Sequence, residues 1–328
     1  RRRQASWLTP RSTSTAANSL TFAPPQSFNL PSPATGSYRS LAAGDLNADG
    51  QPELAFVATD FNPRVFIYRN TSAVGNISFA ALTAIGIGGY PAHVIRMGDL
   101  NNDGKPDLAI ASFDSGSVLT LRNTTTATNL TFALQPQHYV GLFSQAMVIA
   151  DFDSDGFRDI AVSSNLNDIS LLRNSGGTAS IAFDNRRDFG VGQSPRGITA
   201  ADLNGDGLMD IAAANYEGAS FSVLYNNGES GSRTFDSRPL FALEVAGEIP
   251  YAVASADMDG DGRVDLLSAN NYTNNFTVLR GTGSLMSGGF LSGTQHPTAP
   301  NSRPYAMGVG DLDNDGRKDV VIANEPLN

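Results

Sequence analysis

Asp151-Phe-Asp-Ser-Asp-Gly-Phe-Arg-Asp159 is one of six copies of an acidic nine-residue stretch in this 328-residue chain. The others are Asp45-Leu-Asn-Ala-Asp-Gly-Gln-Pro-Glu53, Asp99-Leu-Asn-Asn-Asp-Gly-Lys-Pro-Asp107, Asp202-Leu-Asn-Gly-Asp-Gly-Leu-Met-Asp210, Asp257-Met-Asp-Gly-Asp-Gly-Arg-Val-Asp265 and Asp311-Leu-Asp-Asn-Asp-Gly-Arg-Lys-Asp319. Their first residues lie 54, 52, 51, 55 and 54 positions apart. A nearly constant period of this length signals stacked copies of one supersecondary unit.

Each copy carries oxygen side chains at positions 1, 3, 5 and 9 and glycine at position 6. This is the front half of a calcium loop of the EF-hand type. Ca²⁺ takes six to eight oxygens at about 2.3–2.6 Å. Alternate side chains of a tight turn can supply three. A φ > 0 glycine brings round the carbonyl of position 7, and the acid at position 9 closes the site. The expected ligands are Asp45, Asn47, Asp49, Gln51 and Glu53 in the first loop, and Asp99, Asn101, Asp103, Lys105 and Asp107 in the second. The third loop offers Asp151, Asp153, Asp155, Phe157 and Asp159, and the fourth Asp202, Asn204, Asp206, Leu208 and Asp210. The fifth offers Asp257, Asp259, Asp261, Arg263 and Asp265, and the sixth Asp311, Asp313, Asp315, Arg317 and Asp319. In every loop the position 7 residue contributes its main-chain carbonyl. The bidentate Glu of an EF-hand is absent at position 12, where Phe56, Ile110, Val162, Ala213, Ser268 and Ile322 stand. Apolar runs follow instead of amphipathic helices, so each ion is expected in a strand–loop–strand hairpin. Asp-Asn-Gly clusters also make ordinary turns, but six copies with an acid always at position 9 argue for metal. Mg²⁺ fits less well because it keeps waters and demands octahedral geometry.

Charge leads the same way. The loops hold 21 of the 32 acidic and five of the 22 basic residues, so the rest of the chain is mildly basic although the whole carries −10. Two unit charges 4 Å apart repel by about 4 kcal/mol at an effective dielectric constant of about 20. About six structural Ca²⁺ are therefore expected, and chelation should loosen the fold. There is no cysteine, hence no disulfide or thiol chemistry. No run approaches the length of a membrane-spanning helix, so no membrane insertion is expected. Calcium sites of module affinity, about 10⁻⁴–10⁻³ M, fill outside the cytosol, which predicts a secreted or cell-surface protein. The chain opens Arg1-Arg2-Arg3 with no initiator methionine or signal peptide, which suits a mature form or a fragment.

Each repeat reads as four short strands, termed A to D here. Strand A ends just before the loop (Ser40–Gly44, Val94–Gly98, Met147–Ala150, Gly197–Ala201, Ala252–Ala256, Ala306–Gly310). Strand B is a continuous apolar run after position 9, such as Leu54–Ala58 and Ile160–Ser163, as in strands buried on both faces. Strand C alternates, as in Val65–Arg69, Val118–Arg122, Ile169–Arg173, Phe221–Tyr225 and Phe276–Arg280. Strand D is expected at Ile77–Leu82, Leu130–Leu134, Ile181–Asn185 and Thr234–Pro239. Four-stranded antiparallel units of this kind build an all-β propeller. We read one domain, 1–328, with repeats near 37–90, 91–142, 143–194, 195–247 and 248–302. A composite sixth blade would join 303–328 to 4–30, removing exposed sheet edges. The alternative is a piece of a seven-bladed or longer array.

The six loops, Phe189-Gly190 and the proline-ended tracts before strand A (Gly88–Pro91, Gly192–Pro195, Gly247–Pro250, Ser302–Pro304) resemble the FG-GAP/VCBS repeat family. This is the propeller type of integrin α-subunits and some fungal lectins, and the resemblance covers essentially the whole chain. It departs in number, since integrin-like propellers usually have seven blades and keep only some calcium loops. The resemblance implies calcium loops on one face and ligand binding on the other, through the B–C and D–A loops. Residues placed there are Phe61, Tyr90, Phe113, Arg196, Tyr216, Tyr251, Tyr272 and Tyr305. Such aromatics can stack on sugars or grip a peptide, or merely fill crevices between blades. The arginines ending strand C fall on the calcium side, where pairing with loop carboxylates is expected.

The three histidines stand in unrelated contexts, and no nucleophile elbow or phosphate loop is present. The chain is therefore read as no enzyme, with a polysaccharide-cleaving activity as the weak alternative. No Lys/Arg stripe points to nucleic acid. The expected function is a calcium-stabilised extracellular module recognising a protein or glycan ligand. The competing reading is an architectural spacer between flanking domains of a longer surface protein.

Overall fold

The structure is a computed structural model. It describes residues 28, 38–59, 63–74, 76–80, 82–88, 91–126, 129–228, 235, 249–283 and 289–325. Among these residues there is no helix, and so none long and apolar enough to cross a membrane. The fold is all-β, with the antiparallel sheets of a β-propeller. The N-terminal strands assigned to a composite blade, and the residues Phe61 and Tyr90, lie outside the described set.

Contacts divide the chain into two compact units. One comprises Ser32–Gly190 with Gly228–Arg233 and holds three sheets. The first sheet is β1 (Tyr38–Gly44), β2 (Glu53–Ala58), β3 (Arg64–Tyr68) and β4 (Thr83–Gly86), in that order. The second is β5 (Ala92–Gly98), β6 (Asp107–Ser112), β7 (Ser117–Asn123) and β8 (Phe132–Leu134), with β9 (His138–Tyr139) also paired to β7. The third is β10 (Ser144–Ala150), β11 (Asp159–Ser164), β12 (Asp168–Leu172) and β13 (Arg187–Gly190). The other unit comprises Arg1–Pro31, Val191–Asn227 and Thr234–Asn328. Its sheets are β14 (Pro195–Ala201), β15 (Asp210–Asn215) and β16 (Ser220–Leu224), then β17 (Pro250–Ala256), β18 (Asp265–Asn270), β19 (Asn275–Leu279) and β20 (Thr294–Pro297), then β21 (Pro304–Gly310) and β22 (Asp319–Asn324).

The second strands of the first five repeats are apolar runs covered on both faces, whereas in β22 only Ile322 is buried. Every residue of β6, β11, β15 and β18 is buried. These strands pack into layered cores. In the first unit, Ile67, Ile95, Leu108 and Leu121 form one cluster, and Val94, Met147, Ile160 and Val162 another. In the second unit Leu203, Phe221, Leu266 and Leu279 do the same. First strands of successive sheets touch, β1 with β5 and β5 with β10, and likewise β14 with β17 and β17 with β21. That crowding demands small side chains. A Cβ on Gly98 would sit 3.0 Å from Ile149 Cγ2, and one on Gly197 would sit 2.9 Å from the Val253 nitrogen.

Two expectations are corrected. The first strands begin two or three residues earlier than the sequence suggested and contain a bulge in every repeat. Register slips between Tyr38 and Ser40, Ala92 and Val94, Ser144 and Ala146, Pro195 and Gly197, Pro250 and Ala252, and Pro304 and Ala306. The expected fourth strands Ile77–Leu82 and Ile181–Asn185 are not ladders either. Phe79 and Phe183 each make a single bridge, to Asn70 and Asn174, and the fourth strands follow later at β4 and β13. Asn70 and Asn174 accept the N–H two residues on (2.9 and 3.0 Å), an Asx turn that also forms at Asn123 (2.9 Å), where pairing continues into β8. Leu130–Leu134 fares better, since Phe132–Leu134 is β8. Of Thr234–Pro239 only Phe235 lies among the described residues, bridged to Asn226.

Candidate functional site

The six acidic loops adopt one geometry. The position 1 aspartate takes the glycine N–H at position 6 on one oxygen, at 2.8 Å in Asp45, Asp99 and Asp202 and 2.9 Å in Asp151, Asp257 and Asp311. Its other oxygen accepts the N–H of position 5 at 3.1–3.2 Å. The position 5 carboxylate in turn accepts the N–H of Gln51, Lys105, Phe157, Leu208, Arg263 or Arg317 at 2.8–3.0 Å. Glycine at position 6 has φ between 83° and 89° in Gly50, Gly104, Gly156, Gly207, Gly262 and Gly316, a conformation that disfavours other residues.

Position 9 has a second task that the sequence does not reveal. Glu53, Asp107, Asp159, Asp210 and Asp265 are buried. One oxygen of each accepts the position 2 N–H, from Leu46, Leu100, Phe152, Leu203 and Met258 at 2.8–3.0 Å. The other accepts an N–H from the end of the third strand or just past it, from Asn70 (3.3 Å), Asn123, Asn174, Asn226 (2.7 Å each) and Gly281 (2.8 Å). In the first unit the same asparagines reach back to the preceding loop. Asn123 Nδ2 donates to the Leu46 carbonyl at 2.9 Å, and Asn174 Nδ2 to the Leu100 carbonyl at 2.6 Å. Glu53, Asp107 and Asp159 are thus joined by one hydrogen-bonded chain across three sheets. Sequence reading missed these asparagines because their partners lie up to 77 residues away.

Burial pushes Glu53, Asp107, Asp159 and Asp210 up. Asp107 is raised to about 6, and Asp159 and Asp210 to about 7, with desolvation outweighing the two backbone donors and neighbouring loop carboxylates adding to the rise. Oxygens of Asp151, Asp153 and Asp159 lie within 4.8 Å of one another, as do those of Asp257, Asp259 and Asp265, and of Asp311, Asp313 and Asp315. At position 3, Asn101 Oδ1 and Asp153 Oδ1 are buried without a hydrogen-bond donor. An all-oxygen set with orphaned acceptors inside the loop fits a hard cation. Arginines partly offset the charge, as the sequence suggests. Arg173 pairs with Asp153 and with Asp155 (2.8 Å), Arg280 with Asp259, and Arg69 with Asp49 at 4.0 Å.

Antiparallel pairing puts the first-strand bulges and the turns after the second strand at the opposite end of each sheet from these loops. Arg196, Tyr251 and Tyr305 are therefore bulge residues of β14, β17 and β21, and not loop residues as the sequence reading placed them. Tyr216 and Tyr272 stand in turns, as expected. All five come together in the second unit. Arg196 lies over the Tyr216 ring at 4.8 Å and the Tyr251 ring at 5.5 Å. Tyr216 packs edge-on to Tyr251 at 5.6 Å and donates its hydroxyl to that of Tyr272 at 3.2 Å. Tyr251 lies 4.4 Å from Tyr305, and Arg303, which sequence reading missed, covers Tyr272 at 5.8 Å. Burial and the hydrogen bond to Tyr272 raise Tyr216 to about 12, so its hydroxyl is a donor at neutral pH. Phe113 belongs to the other unit, between His93 (5.3 Å) and Phe143 (5.2 Å). His93 is the bulge residue of β5, with Nδ1 2.9 Å from the Ser144 carbonyl.

The family model described as FG-GAP-like repeat matches residues 151–213, 202–268 and 257–322, together more than half of the chain. Among curated proteins, the chain is similar to Integrin alpha-4 of Xenopus laevis, 28% identical over 158 residues, covering 42% of this chain and 15% of that protein. The chain thus matches a small part of that relative's length. Among solved structures it is similar to an Agrocybe aegerita lectin described for its recognition of non-reducing terminal N-acetylglucosamine (20% identity, TM-score 0.52, 78% of this chain and 65% of that one). It is also similar to a chain of the Chaetomium thermophilum Polycomb Repressive Complex 2 (11% identity, TM-score 0.61, 90% and 69%). These structural likenesses concern the fold.

Proposed function

The chain belongs to the FG-GAP-like repeat family, and on that premise we propose that it is a non-enzymatic, calcium-stabilised binding module working outside the cell or at its surface. Ca²⁺ would be held at positions 1, 3, 5 and 9 and by the carbonyl of position 7, and would supply charge neutralisation and crosslinking. The residues themselves shape the loops and tie neighbouring sheets. The likeness to an integrin segment supports an adhesion-type role. The ligand would be a glycan or an extracellular protein.

The observation that carries this reading is the cluster of Arg196, Tyr216, Tyr251 and Tyr272 at the end of the sheets away from the acidic loops. Tyr272 is 55% exposed, more than a residue serving only to fill a crevice. Exposed aromatics with adjoining arginine are the usual anchors of a recognition surface. A glycan array and a cell-surface pull-down in millimolar Ca²⁺ test it. Binding is expected, with a loss of tenfold or more, roughly the effect of one anchor, when Tyr216 and Tyr272 are both changed to Ala. Silence in both assays would remove the reading.

A further inference from the structure

We propose that the arginine–tyrosine strip of the second unit binds an anionic sugar, a pyranose bearing a carboxylate or sulfate group. This rests on the reading of that strip as a ligand site. The arginines at the loop end lie against acids: Arg69, Arg173, Arg263, Arg280 and Arg317 each pair with a loop aspartate. Arg196 and Arg303 are different. Among the described residues neither has a carboxylate within 4.0 Å, and both are held by aromatic rings instead. A ring orients a guanidinium without neutralising it.

Arg196 is clamped between Tyr216 and Tyr251, and its Nε is buried with no acceptor. A buried N–H without an acceptor is costly, and an oxygen brought by a ligand would satisfy it. Guanidinium is the group that takes carboxylate or sulfate oxygens in a planar fork. Arg303 lies over the Tyr272 ring, at a backbone φ of 45° that non-glycine residues rarely adopt. Glu217, the acid nearest Tyr216 in charge effect, is exposed in the adjoining turn. Two oriented cations therefore flank ring faces and phenol hydroxyls. A charged pyranose presents the matching groups: an apolar C–H face, hydroxyls and an anion. An acidic peptide side chain offers the anion without the flat apolar face.

The test is calorimetric titration of the full chain, kept in millimolar Ca²⁺, with trigalacturonate, a heparin tetrasaccharide, chitotriose and hexaglutamate. One or both anionic sugars should bind, and which of them does identifies carboxylate or sulfate as the source. Affinity should fall with added salt, and by about tenfold or more in Arg196→Lys, which keeps the charge but loses the fork. Arg303→Ala gives a second measurement should Arg196→Lys lower the melting temperature. Chitotriose binding as tightly, unmoved by either variant, would overturn the anionic inference and leave a sugar site standing. Hexaglutamate binding in place of the sugars would overturn it in favour of a peptide partner. Silence of all four probes would also overturn it, whereas the wider reading falls only if the array and pull-down are silent too.

Discussion

Within a loop, position 4 is as constrained as position 6, though nothing in its residue type says so. Ala48, Asn102, Ser154 and Asn314 have φ of 55–60°, and Gly205 and Gly260 reach 81° and 77°. Only two of the six copies place glycine there, so the pattern hides the requirement. Alanine at that φ carries strain that asparagine tolerates. Ala48→Asn should therefore stabilise the protein by about 0.5–1 kcal/mol, read as a raised midpoint in urea unfolding. An unchanged or lowered midpoint would show that the loop relaxes around Ala48. Positions 1, 5, 6 and 9 were legible because their partners lie within nine residues. The second donor to position 9 comes from 16 residues further on in Asn123, past two strands, and no local reading finds it.

At the scale of elements, first, second and third strands could be read from hydrophobic pattern, and fourth strands could not. A polar start and an aromatic look alike whether the segment forms a ladder or one bridge such as Asn174 to Phe183. The asparagine before the segment does not separate them, since Asn123 makes the same turn beside the β8 ladder. The Asn174 side chain accepts the Gly176 N–H at 3.0 Å and donates to the Leu100 and Arg158 carbonyls at 2.6 and 2.9 Å. Asn174→Ala should leave the buried Leu100 carbonyl and two partly buried groups without their partner and cost about 1–3 kcal/mol. Hydrogen exchange should show faster loss at Leu100 and Phe152 than at β15 in the other unit. Uniform loss across both units would overturn the assignment of Asn174 as a local tie between sheets. The bulges were likewise invisible, because an extra residue in a first strand changes pairing and leaves composition unchanged.

For the whole molecule, the charge of the acidic loops sets how stability should depend on pH, and the proposed calcium would change that dependence. Asp107 sits at about 6, and Asp159 and Asp210 at about 7, when folded, against about 3.9 for a free aspartate. A raised carboxyl means that the folded state holds a proton the unfolded chain releases. Below about pH 4 both states are protonated. As pH rises from there to the folded values, the metal-free protein loses stability. Calcium bound as proposed would have to displace those protons, so its stabilising effect should grow over the same window. In EDTA the melting temperature should fall between about pH 5 and about pH 7.5. With millimolar Ca²⁺ it should not, and the gap between the two should widen with pH. A gap of zero would sink the structural role of calcium, and a gap independent of pH would show that these three acids are not displaced.

The sequence by itself determined the repeat, the acidic loops, the buried second strands and the all-β class, since each depends on spacing and alternation within a few residues. It also carried the family resemblance that the comparison bears out. Only the tertiary structure decided that Asn123 and Asn174 wire successive loops together, that bulges bring Arg196, Tyr251 and Tyr305 beside Tyr216, and that Arg303 joins them. The reason is distance along the chain. These contacts join residues about 20 to 77 positions apart, most of them in different repeats, and such pairings exist only after the strands and sheets have packed.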